Sequence, residues 1–205
     1  MAGGAGTGYF LVRRLHTLSG LLVSLAYVFL FLMPMSAAAG GAASFNGLAK
    51  SLNDLPFAGA AMLPFVLAPL AFHAAVGLSM LYGSELSAIS YGFYRNWMYA
   101  LQRLTGVVLV PFVVFHVTKA HLAFAFTGRA ADYAFMQKLL APGWVRAVYV
   151  AGVISAAFHI GNGMATALAR LGILGTRRAQ DAAAMVMWVV TLVLAAWGVR
   201  VVYAF

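Results

Sequence analysis

The residues in this chain best suited to chemistry are imidazoles set in apolar text. His159 lies within residues 155–164, SAAFHIGNGM, with Gly163 one helical turn further on. Phe72-His73 with Gly77 repeats the pattern, and Phe115-His116 with Ala120 repeats it more loosely. An imidazole on a helix can ligate iron through one ring nitrogen. A missing side chain at i+4, on the same face, leaves room for a flat macrocycle against the backbone. The competing readings are a histidine satisfied by a neighbouring carbonyl and one that relays protons. An ionisable group inside a membrane span is a functional-site hypothesis by default, and a second matching copy favours the ligand reading.

The surroundings of these histidines are those of a membrane protein. Of 205 residues, 64% are hydrophobic and only 8% charged, against about a quarter charged in soluble domains. The net charge of +9 does not indicate nucleic acid, because Lys and Arg fall in flanks and loops without forming a basic stripe. Anionic lipid, haem propionates or an acidic partner surface are the expected counterions. With no cysteine, the chain can hold neither an iron–sulfur cluster nor a covalently attached c-type haem, so any haem is b-type.

The expected fold is all-α, one membrane domain of five transmembrane helices over about 15–38, 58–82, 96–124, 145–168 and 182–202. Two short interfacial amphipathic segments accompany them. Residues 1–9 are Gly-rich and read as a frayed tail. The apolar run that follows is about 18 residues, longer than a signal-peptide core of ~7–15, and reads as a retained first span. Phe45, Leu48, Leu52 and Leu55 recur at helical spacing among polar residues, and residues 133–140 form a second such piece. Pro64 and Pro69 are expected to bend the second span. Tyr91, Phe93, Tyr94 and Trp97 around Arg95 form an interface belt opening the third. A weak repeat relates Arg14-Leu15 with Gly20 to Arg103-Leu104 with Gly106, as a duplicated two-helix unit would.

Depth decides which histidines can meet. At 1.5 Å per residue, His73 lies roughly 26 Å along the second span and His159 roughly 24 Å along the fourth, both running towards the side of the N-terminus. They share a depth and could clamp one iron. His116 lies roughly 30 Å along the third span, which runs the other way, so it sits near the far face. His121 is about 140° round the helix from His116 and cannot share its iron. His16, at the start of the first span, suits a hydrogen bond to a propionate or a quinone.

FLVRRLHTLSG, FNGLAKSLNDLPF, PLAFHAAVG, YRNWMYALQRLTG continuing to FHV, and FHIGNGM together resemble a known family over nearly the whole chain. It is the single-chain, five-helix bacterial cytochrome b558 membrane anchor of succinate dehydrogenase and fumarate reductase. The resemblance implies a haem b anchor for a flavoprotein subunit and an iron–sulfur subunit, in the bacterial inner membrane with a cytoplasmic N-terminus. It implies electron transfer between the iron–sulfur subunit and a quinone, with no dicarboxylate catalysis in this chain. His73 and His159 match the axial ligands of the haem nearer the cytoplasm. His116 matches one ligand of the outer haem, whose other ligand falls at Phe31, which cannot ligate iron. Met33 and Met35 offer thioethers about half a turn away, so a second haem at His116 stays open while one haem is the expectation. Without it, His116 is a leftover membrane-interface histidine or part of an outer quinone or proton route beside Lys119 and His121.

Arg13, Arg14, His16, Arg95 and Arg103 are expected to collect at the cytoplasmic end around propionates, the quinone or the docking surface. Asn96, Trp97 and Gln102 are further quinone-pocket candidates. Two alternatives remain at this stage: a cytochrome b anchor of a hydrogenase or formate dehydrogenase, and a histidine-relay proton-coupled transporter. The direction of the reaction, the identity of the quinone and any oligomer of the whole complex are open.

Overall fold

The computed structural model describes residues 3–56, 63–83, 91–121 and 131–205. Its first helix, α1, runs over Gly3–Ala26. The same rod continues through a π-helical stretch Tyr27–Leu32, an α turn Met33–Met35 and a 3-10 stretch Ser36–Gly40. The tail expected to fray is therefore helical from Gly3. Extending a helix that is already nucleated costs little, even through glycine-rich text.

Gly41, at φ 79°, breaks the rod. Only glycine tolerates that left-handed backbone without strain, and the chain turns there into amphipathic α2, Gly41–Asn53. The second span is described from Leu63, with residues 58–62 of the expected helix lying outside the described residues. It opens on a π-helical stretch, Leu63–Leu67, that contains Pro64, and continues as α3, Ala68–Tyr82, with Pro69 in its first turn. A proline without an N–H is tolerated there and displaces the regular ladder where it cannot donate.

The third span is α4, Tyr94–His116, extended by a π-helical stretch Val117–His121. Its expected last residues, 122–124, lie outside the described residues. The second amphipathic segment is α5, Tyr133–Leu140, whose N-cap Asp132 accepts a hydrogen bond from the Phe135 amide. The fourth and fifth spans are α6, Gly143–Arg170, and α7, Arg177–Val202. A glycine-ended motif stops α6: Gly172 is left-handed, its N–H reaches the Ala169 carbonyl, and Ile173 N–H reaches that of Leu168.

Five described helices are long and apolar enough to cross a membrane. Side chains such as Phe29, Leu30, Val189 and Leu192 remain exposed on the outside of the bundle, as suits a surface that meets lipid. The centre is α6, which buries Gly152, Ala156, Ala157 and Gly161 among its interior residues. A Cβ at Gly161 would collide with Thr191 Oγ1 of α7, and one at Gly198 of α7 would collide with Val153. Small residues thus let α6 and α7 pack backbone to backbone, the usual device where no water drives helices together.

The end of the bundle away from the N-terminus is filled with large side chains. Ala38, Phe45, Met136, Leu140, Val145, Tyr149, Val153 and Val202 form a buried cluster there. The two amphipathic helices supply Phe45, Met136 and Leu140 to it, and the Tyr133 N–H donates to Asn46 Oδ1 at 2.8 Å. Both segments therefore cap the bundle on their apolar faces.

Candidate functional site: a histidine cluster between four helices

Towards the N-terminal end, α1, α3, α4 and α6 bring His16, His73 and His159 together. The His73 and His159 rings have centroids 6.1 Å apart and planes at 85°. His16 stacks on the other side of His73, at 4.1 Å and 10°. His116 is elsewhere: its Nδ1 is 3.3 Å from the Tyr149 hydroxyl, beside Phe112.

Each of the paired imidazoles is held from across a helix interface, in the same way. His73 Nδ1 lies 3.0 Å from the His16 carbonyl and 3.5 Å from Ser19 Oγ. His159 Nδ1 lies 3.1 Å from the Gln102 carbonyl and 3.3 Å from Thr105 Oγ1. A carbonyl only accepts, so Nδ1 carries the proton in both rings and Nε2 is left with its lone pair. Next in sequence comes a glycine that admits the ring. A Cβ at Gly20 would stand 2.5 Å from His73 Cε1, and one at Gly106 would stand 3.2 Å from His159 Cε1.

These contacts fix the register of the internal repeat. Leu15-His16-x-Leu18-Ser19-Gly20 matches Leu101-Gln102-x-Leu104-Thr105-Gly106, so His16 pairs with Gln102, a different alignment from the arginine-leucine match suggested by sequence. The glycines at i+4 of the histidines are faced by the same two residues. His16 Nε2 and Gln102 Nε2 each lie 3.3 Å from where a Cβ would stand at Gly77 and Gly163 respectively. The space expected for a macrocycle beside Gly77 and Gly163 is thus approached by side chains of the neighbouring helix.

The two halves differ where His16 pairs with Gln102 and in what faces that residue. Gln102 donates to the His159 carbonyl at 3.0 Å and accepts from Asn162 Nδ2 at 2.7 Å. Val76 occupies the position on α3 that Asn162 holds on α6, and His16 Nδ1 is buried with no hydrogen-bond partner.

The basic residues singled out from sequence separate on inspection. Arg103 lies over the Tyr99 ring, 3.9 Å from its centroid, donates to the Tyr99 hydroxyl, and keeps Nη1 buried without a partner. Arg13 and Arg14 lie over Tyr9 and Phe10. Arg95 is turned away to Asp181 at 3.3 Å, on an exposed surface. Asn96 Nδ2 donates to the Tyr91 carbonyl within its own turn, and Trp97 is half exposed.

Sequence reasoning missed Ser19, Thr105 and Asn162, and it missed Arg170, which is close enough to Arg13 and His16 to repel both. Asn162 did carry a signal, as a lone amide in apolar text three residues after a histidine. Of the thioethers near Phe31, Met33 is 56% exposed on the outside and Met35 packs against the far-end cluster.

Two imidazoles facing one metal ion at about 2 Å each have ring centroids roughly 6 Å apart, which the 6.1 Å separation meets. Deprotonated Nε2 atoms, and an unpartnered guanidinium nitrogen nearby for an acidic substituent, fit a haem held by two histidines.

The bundle and its histidines define a multi-pass α-helical membrane protein of the electron-carrying class. The chain belongs to the succinate dehydrogenase/fumarate reductase transmembrane-subunit family, whose model matches residues 85–198. It is 31% identical over 201 residues to the succinate dehydrogenase cytochrome b558 subunit of Bacillus subtilis (strain 168), covering 98% of this chain and 99% of that one. No solved structure matches it. The likeness extends along the full length, and with it the chain is a cytochrome b membrane-anchor subunit of an enzyme complex.

Proposed function

We propose that this chain anchors the flavoprotein and iron–sulfur subunits of a succinate:quinone oxidoreductase in the bacterial inner membrane, with its N-terminus in the cytoplasm. It carries electrons between the iron–sulfur subunit and a membrane quinone. The observation that carries the reading is the pair of perpendicular imidazoles 6.1 Å apart, each with Nδ1 turned to a carbonyl on the adjacent helix. His73 and His159 would hold one haem b, which would supply a one-electron carrier inside the bundle. The membership of the family sets aside the hydrogenase-type anchor and the transporter.

Arg103, Arg13 and Arg170 would neutralise the propionates at the cytoplasmic end. The Arg103 Nη1 is buried without a hydrogen-bond partner, and an anion beside Arg13 and Arg170 would relieve the repulsion between those two. His16 and Gln102, at equivalent positions on α1 and α4, line the way to the quinone headgroup; His16 supplies a ring nitrogen free to bond it. Arg14 lies further out over Phe10 and serves the docking surface. Arg95, Asn96 and Trp97 are left out of the pocket, because the first two are already engaged at the surface.

The chain holds one haem. By the family resemblance the second outer ligand would fall at Phe31, which cannot ligate iron, and His116 lies against Tyr149 and Phe112. Reduced-minus-oxidised spectra and pyridine haemochrome counts on the co-purified complex test the assignment. A protein without a low-spin b haem, or one purifying without flavoprotein and iron–sulfur partners, overturns it.

A further inference from the structure

We infer that the hydroxyls of Thr105 and Ser19 are second acceptors for the Nδ1 protons of His159 and His73, and that they hold down the reduction potential of the haem. This rests on the assignment of those histidines as axial ligands. The geometry points to it twice, in two copies of one motif. In both, the carbonyl of the first polar residue, the hydroxyl three residues later and the next glycine together form a socket for an imidazole from the following span.

The protons leave little freedom in how the hydroxyls act. Thr105 Oγ1 is placed to donate its own hydrogen back along α4, 2.8 Å from the Leu101 carbonyl and 3.1 Å from that of Gln102. Ser19 Oγ donates likewise to the His16 carbonyl at 3.0 Å. A hydroxyl whose hydrogen is spent on a carbonyl presents only lone pairs elsewhere. Those lone pairs face Nδ1, at 3.3 Å for Thr105 and 3.5 Å for Ser19. Each Nδ1–H is thus shared between a carbonyl oxygen and a hydroxyl oxygen, with the closer Thr105 contact the stronger of the two.

Acceptors on the remote nitrogen of a ligating histidine fix its tautomer and raise its basicity. A more basic imidazole favours ferric over ferrous iron, and so does a polar group near the added positive charge. Removing either hydroxyl weakens both effects in the same direction, and the potential rises. A backbone carbonyl cannot be mutated away, so the hydroxyl is the adjustable half of the pair. Thr105 and Ser19 are positioning residues that act through the histidines.

The test is an optical redox titration of the b haem in the purified complex, for wild type, Thr105→Val, Thr105→Ser and Ser19→Ala. Valine keeps the branched shape and loses the hydroxyl; serine keeps the hydroxyl. At the wild-type midpoint, Thr105→Val is expected to raise the ferrous-to-ferric ratio about threefold, or about 28 mV at 59 mV per tenfold for one electron. Ser19→Ala shifts it less in the same direction, and Thr105→Ser stays at the wild-type value. A Thr105→Val protein with full haem and an unchanged midpoint overturns the inference, and so do equal shifts for valine and serine, which would mark a packing effect. Should Thr105→Val shed its haem, Ser19→Ala carries the measurement, and an unchanged or lowered midpoint there overturns the inference. Failure of the ligand assignment looks different: His73→Ala or His159→Ala would then keep the full low-spin spectrum.

Discussion

The two ends of this bundle each contain histidine inside a membrane, and they treat it in opposite ways. At the N-terminal end, glycines at 20 and 106 open the helix surface, and two imidazoles enter with both sides of each Nδ1 accounted for. At the far end, Phe112 and Tyr149 flank His116, Phe115 packs behind Tyr149, and Phe112 fills the space that Gly152 leaves. Glycine is used at both ends, but at one it makes room for an imidazole and at the other for a phenyl ring. The presence of a buried histidine therefore says little until the neighbours of its ring are known.

The largest effect that separates the two ends is loss of the cofactor. His73→Ala and His159→Ala are each expected to abolish the low-spin haem spectrum, while His116→Ala leaves it intact. Loss of the signal in the His116 variant would break the contrast. Haem stoichiometry sharpens it: pyridine haemochrome against protein is expected to give one haem per chain, and a ratio of two would mean that the far end finds a ligand other than Phe31.

Adding a methyl group at each end should be read by different instruments. Gly20→Ala pushes a Cβ into the His73 ring and is expected to lower haem retention measured spectroscopically. Gly152→Ala pushes into Phe112 and is expected to cost about 1–3 kcal/mol of stability by overpacking. Its thermal unfolding shifts while its haem spectrum does not. The smallest effect is expected from Tyr149→Phe, which removes the hydroxyl facing His116 at 3.3 Å. That should lower stability by about 0.5–1.5 kcal/mol and leave the midpoint potential of the haem unchanged.

Much of this architecture could be read from the sequence, because length and hydropathy determine a membrane span almost alone. Depth along the spans paired His73 with His159 and set His116 apart, and the structure places the three in that relation. What the sequence hid was rotation about the helix axes. The text of α3, APLAFHAAVGLSMLY, is apolar on every side, so nothing in it says which face meets α1. The socket residues Ser19 and Thr105 were missed for that reason, and Gly77 and Gly163 were given the neighbour that a single helix suggests. Asn96 was assigned to the pocket, and Arg95 to the propionates, the quinone or the docking surface, on composition. With four acidic residues in the whole chain, the position of Asp181 across from Arg95 decides that pairing, and position is a tertiary fact.

The close contact of α6 with α7 has a consequence for the speed of electron transfer. Gly161 lies two residues from His159 and is pressed against Thr191 and the Met187 carbonyl, so the backbone bearing His159 cannot slide or roll without breaking that seam. On the opposite face, Gln102 grips the His159 carbonyl and imidazole together. An iron held by His159 would change charge with little movement of the atoms around it, since a preorganised setting has little to rearrange at the moment of reaction. The small residues along the α6–α7 seam would thus lower the reorganisation energy of a carrier held at His159.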